Sequence, residues 1–152
     1  MDIEEYGESL LTLLKEKLGL EELSFNEEGS CLFVLDENKL FIIDLDESTR
    51  TLIISVVLGT IPKENREDVL YDLMTANYYW MRTGGGTLGV DPENDVVLLC
   101  YSMQLPLEND MDLIFCIEKL ANVSDYWTKR LSNIEDTPSR GLSSEELPMM
   151  KV

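Results

Sequence analysis

The chain is 152 residues long and 44% apolar, a size and composition that suit one globular domain and exclude a disordered acidic tail. Thirty acidic residues against twelve basic ones leave a formal charge of −18, which argues against binding nucleic acid through its phosphates and against anionic membrane surfaces. Histidine is absent, removing the commonest acid–base group, Ser-His and Cys-His dyads, and imidazole metal ligands.

The opening residues Met1-Asp2-Ile3-Glu4-Glu5 lack the basic flank and apolar stretch of a signal peptide. From about Tyr6 to Leu18, Tyr6, Leu10, Leu14 and Leu18 repeat at i+4, which predicts an amphipathic helix stopped by Gly19. The period then changes. Cys31 to Leu35, Leu40 to Leu45 and Thr51 to Leu58 read as strands separated by the turns Asp36–Lys39 and Asp46–Arg50, an antiparallel meander. Leu52 to Leu58 is the longest strongly apolar stretch and is too short to span a bilayer, so a cytosolic location without membrane insertion is expected.

Pro62 sits near the start of a second helix, expected from about Lys63 to Met81 with Glu64, Glu67 and Asp68 at its positive end. Gly84-Gly85-Gly86 breaks it. Thr87 to Asp91 and Val96 to Ser102 form a hairpin around Pro92–Asp95, and a third helix follows from about Asp110 to Leu131. The order is α-β-β-β-α-β-β-α, an α+β domain over residues 1–132 with a five-stranded antiparallel sheet and three helices. Residues 133–152 lose periodicity and read as a flexible tail, in which Leu147-Pro148-Met149-Met150 has the form of a short docking motif.

Two elements carry more apolar surface than one buried face requires. A half-exposed strand alternates apolar and polar, yet Leu40–Ile43 and Leu52–Ile54 are apolar on both faces. Three helices can cover one face of five strands, so another subunit or a bound chain is expected on the remainder. In the second helix Val69, Leu73, Ala76 and Trp80 line one side and Leu70, Met74 and Met81 an adjoining one, with Tyr71, Tyr78 and Tyr79 between. One side serves the core. The other suits a two-fold contact, unless the helix is wholly buried.

Sequence motifs for chemistry are weak. The run Gly84–Gly89 lacks the Lys of a P-loop and follows a helix instead of a strand, so it reads as a tight connection. Asp44/Asp46/Glu47 and Asp91/Glu93/Asn94/Asp95 fall in expected turns without EF-hand spacing. Cys31, Cys100 and Cys116 lie in apolar runs with no C-x-x-C and read as reduced core thiols. No metal, cofactor or catalytic residue is assigned, and an enzyme is not expected.

Several stretches resemble the class I type III secretion chaperones, the CesT/Tir-chaperone-like family. Tyr6–Leu11 with Leu14 and Gly19-Leu20 is similar to that family's opening helix. Leu73–Tyr78 leading into Gly84–Asp91 is similar to its second helix and the glycine-containing approach to strand four. Asn94–Leu99 followed by Leu105-Pro106-Leu107 is similar to its last strand and the approach to the final helix. The resemblance implies a homodimer, or a heterodimer with a second chaperone, that binds the N-terminal segment of secreted effector proteins in the bacterial cytoplasm. It implies no nucleotide, and it carries the association with virulence.

By the same resemblance, Leu70, Leu73, Met74, Trp80 and Leu88 fall at the dimer contact. The effector wraps as an extended chain over the first helix and the sheet, partly by strand addition. On this sequence the residues assigned to the client are Leu10, Leu14, Leu32, Val34, Phe41, Ile43, Ile53 and Val57. Residue pattern supports Ile53, Ser55 and Val57 for the client face, since they form the wetter side of the third strand. Two other readings compete. An acidic adaptor or inhibitor would bind a basic site on a folded partner through carboxylates and be released by salt. A His-free hydrolase would need carboxylates and a divalent ion.

Overall fold

The structure, a computed structural model, describes residues 1–132. The expected tail 133–152, with its Leu147–Met150 motif, lies outside the described residues. The elements run α1 (Ile3–Leu18), β1 (Ser30–Leu35), β2 (Lys39–Asp46), β3 (Thr51–Thr60), α2 (Arg66–Ala76), a 3₁₀ turn (Tyr78–Trp80), β4 (Thr87–Asp91), β5 (Val96–Gln104) and α3 (Met111–Ser132). The five antiparallel strands are ordered β1-β2-β3-β5-β4, so β1 and β4 are the edges. Among the described residues no helix is long and apolar enough to cross a membrane.

Packing divides the chain into two compact units, one of Met1–Ser55 with Tyr101–Glu118, the other of Val56–Cys100 with the chain from Lys119. In the first unit, α1 starts where the Asp2 carboxylate accepts from the Glu4 and Glu5 N–H groups. It stops at Gly19, whose φ of 64° is the left-handed conformation that glycine adopts without steric cost. Leu10, Leu11 and Leu14 of α1 are buried, as are Phe33, Phe41, Ile43, Leu52, Ile54, Leu113 and Ile117. The Tyr6 hydroxyl donates to Asp110 Oδ1 at 2.6 Å and accepts from the Leu107 N–H at 3.1 Å, tying α1 to the start of α3. The Gln104 side-chain amide donates to the Thr49 and Arg50 carbonyls, which carries β5 two residues past its expected end at Ser102.

In the second unit Val69, Leu73, Ala76, Leu88, Val97, Leu99, Leu120, Val123, Trp127 and Leu131 are buried. Asp72 accepts from Arg82 at 3.0 Å and Arg130 at 3.1 Å, while the Arg82 carbonyl accepts from Trp127 Nε1 at 3.1 Å. The Arg82 guanidinium also lies 5.7 Å from the Trp127 ring centre. The glycine run joins the 3₁₀ turn to β4 as expected. Gly84 has a φ of 65°, and a Cβ there would sit 2.9 Å from Val123 Cγ2, so closeness of packing accounts for it.

The second helix is shorter than its expected span of 63–81. It ends at Ala76, and Tyr79 and Trp80 take left-handed φ values of 52° and 54°. Helical geometry cannot pass through two such residues.

Candidate functional site

In the first unit, one turn and one strand place an apolar pair at a sheet edge. The Asn26 carboxamide oxygen accepts from the Glu28 and Ser30 N–H groups at 2.9 and 3.0 Å, and the Gly29 carbonyl accepts from Leu45 N–H at 2.8 Å. Ser30 Oγ also donates to Asp44. This sets the register of β1 on β2, with Cys31 opposite Ile43, Leu32 opposite Ile42, Phe33 opposite Phe41 and Val34 opposite Leu40. Strand pleating then decides which side chains face the core. Cys31 and Phe33 turn in, the Phe33 ring stacking on Phe41 at 5.3 Å, and Leu32 and Val34 turn out, 55% and 52% exposed.

Gly19–Leu23, the chain leaving α1, and Leu32–Val34 border a groove of about 350 Å³. Leu20 and Leu23 supply apolar wall, and Glu21 and Glu22 are exposed at its rim. A smaller concavity of about 160 Å³ lies at the turn before β1. Glu4, Glu8, Glu27, Glu28 and Glu47 surround Phe25 and Leu45 there.

This geometry redraws the expected client face. Leu10, Leu14, Phe41 and Ile43 are in the core, each at most 1% exposed, and cannot touch a client in this conformation. For β2 the cause is parity: Leu40–Ile43 is apolar at every position, so its pattern does not reveal which alternate residues point outward. Ile42 and Leu40 stand beside Leu32 and Val34, and Phe41 and Ile43 face inward. Ile53 and Val57 of β3 are half-buried, but Ser55 between them, expected on the same wetter face, is buried like Leu52, Ile54, Val56 and Leu58.

In the second unit α2 presents Leu70, Tyr71 and Met74 outward, and the 3₁₀ turn adds Tyr78, Tyr79, Trp80 and Met81, all exposed. The Tyr78 and Tyr79 rings meet edge to face at 4.6 Å. Of the residues expected at a dimer contact, Leu70, Met74 and Trp80 belong to this surface. Leu73 and Leu88 do not: both are buried in their own chain, Leu73 because it repeats with Val69 and Ala76 along the inward stripe of α2. The four aromatic and Met residues that follow Asn77 were expected on a continuous helix; the left-handed turn gathers them instead.

The acidic turns are self-satisfied. Asp46 accepts from the Ser48 and Thr49 N–H groups and the Ser48 hydroxyl, and these bonds hold its carboxyl below the usual range. Asp91 accepts from Glu93 N–H and Asn94, and Asp95 pairs with Arg66 at 3.0 Å. Among the described residues no group of three or more His, Cys, Asp and Glu is placed to hold a metal. Cys31 is buried, which pushes its thiol pKa up, and Cys100 and Cys116 are half-buried instead of lying in the core.

Residues 9–127 match the Tir chaperone protein (CesT) family. The Tir chaperone of Escherichia coli O111:H- is 30% identical over 129 residues, covering 84% of this chain and 76% of that protein. Two solved structures share the fold. The ExsC-ExsE complex matches with a TM-score of 0.74 at 19% identity, over 86% of this chain and 97% of that one. The HopA1-SchA chaperone-effector complex matches with a TM-score of 0.66 at 16% identity, over 82% and 94%.

Proposed function

The chain belongs to the Tir chaperone protein (CesT) family, and on that premise we propose that it is a type III secretion chaperone. It binds the N-terminal segment of effector proteins as an extended chain and keeps that segment soluble and competent for secretion. The observation that carries this reading is the outward pair Leu32 and Val34 on an edge strand beside a groove. Strand addition at such an edge takes main-chain hydrogen bonds, which any client sequence offers, and side-chain pockets for alternate residues, which select among clients. The name of one structural relative, a chaperone-effector complex, agrees with an effector as partner.

Magnitudes limit what the pair does alone. Covering the exposed half of a Leu or Val contributes about 1 kcal/mol at roughly 25 cal/mol per Å². Two such side chains do not offset the ordering of a client segment. Strand pairing and further contacts must contribute. In this reading the client uses Leu32, Val34, Leu40, Ile42 and Ile53.

The exposed surface of α2 and the aromatic turn serves a second copy of the chain. Its Met and aromatic content is what interface centres are enriched in. The net charge of −18 limits self-association of loaded complexes. The protein acts by binding, without catalysis, in the bacterial cytoplasm.

Co-purification of the full chain from its source cell tests this reading. The account expects secreted proteins that bind through their N-terminal segments and stay bound in high salt. A folded basic partner released by salt would replace it with the acidic-adaptor reading.

A further inference from the structure

We propose that the groove beside β1 selects its client by charge as well as by alternation: it takes an extended segment with two apolar residues at i and i+2, flanked by Lys or Arg. This rests on the reading above that the edge of β1 accepts an extended chain.

The apolar half of the code follows from spacing. Leu32 and Val34 lie about 6.6 Å apart along the strand, and an added strand lies about 4.8 Å away. Its residues i and i+2 therefore stand beside them on the same face. Leu20 and Leu23 close the far side of the groove.

The charged half follows from what borders the groove. Among the described residues its lining includes the carboxylates of Glu21 and Glu22 and no cationic side chain. Lys15 approaches Glu22 only at 3.6 Å, with the carboxylate almost fully exposed, so that pair screens little. The concavity at the preceding turn repeats the arrangement: among the described residues five glutamates and no cation line it, around Phe25 and Leu45. Gly29 belongs to that lining and Leu32 is three residues on, about 10 Å along the chain. Asn26 closes the edge at Ser30, so a client passing Leu32 runs on over the turn 26–29, and a residue about three positions from the apolar pair reaches the concavity there. The stem of a Lys or Arg would lie on Phe25 and Leu45, and its head among the carboxylates.

Charge also decides between occupants. A second copy of this chain would bring its own surplus of carboxylates against these, and an anionic surface would be repelled in the same way. At the other edge of the sheet, the side chain of Asn77 already holds both the N–H and the carbonyl of Leu88. An added strand finds that edge blocked at Leu88; Asn26 holds the N–H and the carbonyl of Ser30 in the same way, so a strand added to β1 pairs at Leu32 and Val34.

Fluorescence anisotropy with the full chain and short labelled peptides tests the proposal. The probes carry two Ile at i and i+2 with Arg about three residues to either side, the same peptide with Gln for Arg, and the Arg peptide with Ser for both Ile. The Arg peptide should bind about tenfold tighter than the Gln peptide at low salt, a gap that several exposed charge pairs can supply. The Ser peptide should not bind. Leu32→Ser with Val34→Ser should weaken the Arg peptide about tenfold, and Glu27→Gln with Glu28→Gln should shrink the Arg–Gln gap. All four residues are exposed, and circular dichroism of each variant verifies the fold.

Equal binding of the Arg and Gln peptides overturns the charge selection and leaves the chaperone reading standing. Equal binding of the Ser peptide overturns the apolar code. If none of the three binds, the groove takes no extended chain and the reading it rests on falls too.

Discussion

The side chain of Asn77 pairs with Leu88 as a strand would. Its Nδ2 donates to the Leu88 carbonyl at 3.0 Å, and its Oδ1 accepts from the Leu88 N–H at 2.8 Å. Leu88 is the register partner of Leu99 on β5, and since Asn77 holds both of its main-chain groups, these point away from β5, along the open edge of β4. One amide thus ends α2 and blocks that edge of the sheet at Leu88. Asn77→Ala leaves two part-buried main-chain groups without this partner. It should lower stability by about 2 kcal/mol in urea unfolding. Asn77→Asp, which keeps only the acceptor, should recover part of that loss.

The surface of α2 separates interface from core. Met74 is 72% exposed, so Met74→Asp should leave folding intact and shift a dimer toward monomer in light scattering. Leu73→Asp one residue away should unfold the chain, since it buries a carboxylate without a partner. If Met74→Asp leaves the dimer unchanged, this surface is not its interface.

The two faces of the first strands should part in the same way. Phe41 is fully buried and stacks on Phe33, so Phe41→Ala should cost about 3–5 kcal/mol. Leu32→Ser should change stability by less than about 0.5 kcal/mol while weakening peptide capture. Urea midpoints and binding measured on the same samples distinguish the two effects.

Tyr6 supplies a pH signature. Burial first, then its hydrogen bond to Asp110, raises its hydroxyl above the ordinary value near 10. A pKa raised by folding stabilises the native state below the unfolded value, and that contribution is lost as pH rises through the folded value. Stability should therefore decline above about pH 10, and less steeply in Tyr6→Phe, which cannot ionise there. Urea midpoints across that range test the difference.

Much of the fold was legible. The i+4 repeat of Tyr6, Leu10, Leu14 and Leu18, and the turns at 36–39 and 46–50, place α1 and the first three strands within a few residues. Parity was not legible where Leu40–Ile43 is apolar throughout, because periodicity carries no phase in a uniform run. The end of α2 depends on contacts distant in sequence, Asn77 with Leu88 and Asp72 with Arg130, 58 residues away. Local pattern holds no trace of either. The burial of Leu73 was legible in its repeat with Val69 and Ala76; that of Leu88 follows from packing.

The central claim is that the edge of β1 is where another chain adds. Amide hydrogen exchange of the full protein, with and without the saturating Arg-flanked peptide, tests it most directly. The account predicts slowed exchange at Leu32 and Val34, the β1 residues whose N–H groups face the open edge, and in the flanking Gly19–Leu23 segment, with α2 unaffected. Tight peptide binding that leaves β1 exchange unchanged, or that protects α2 instead, would contradict it.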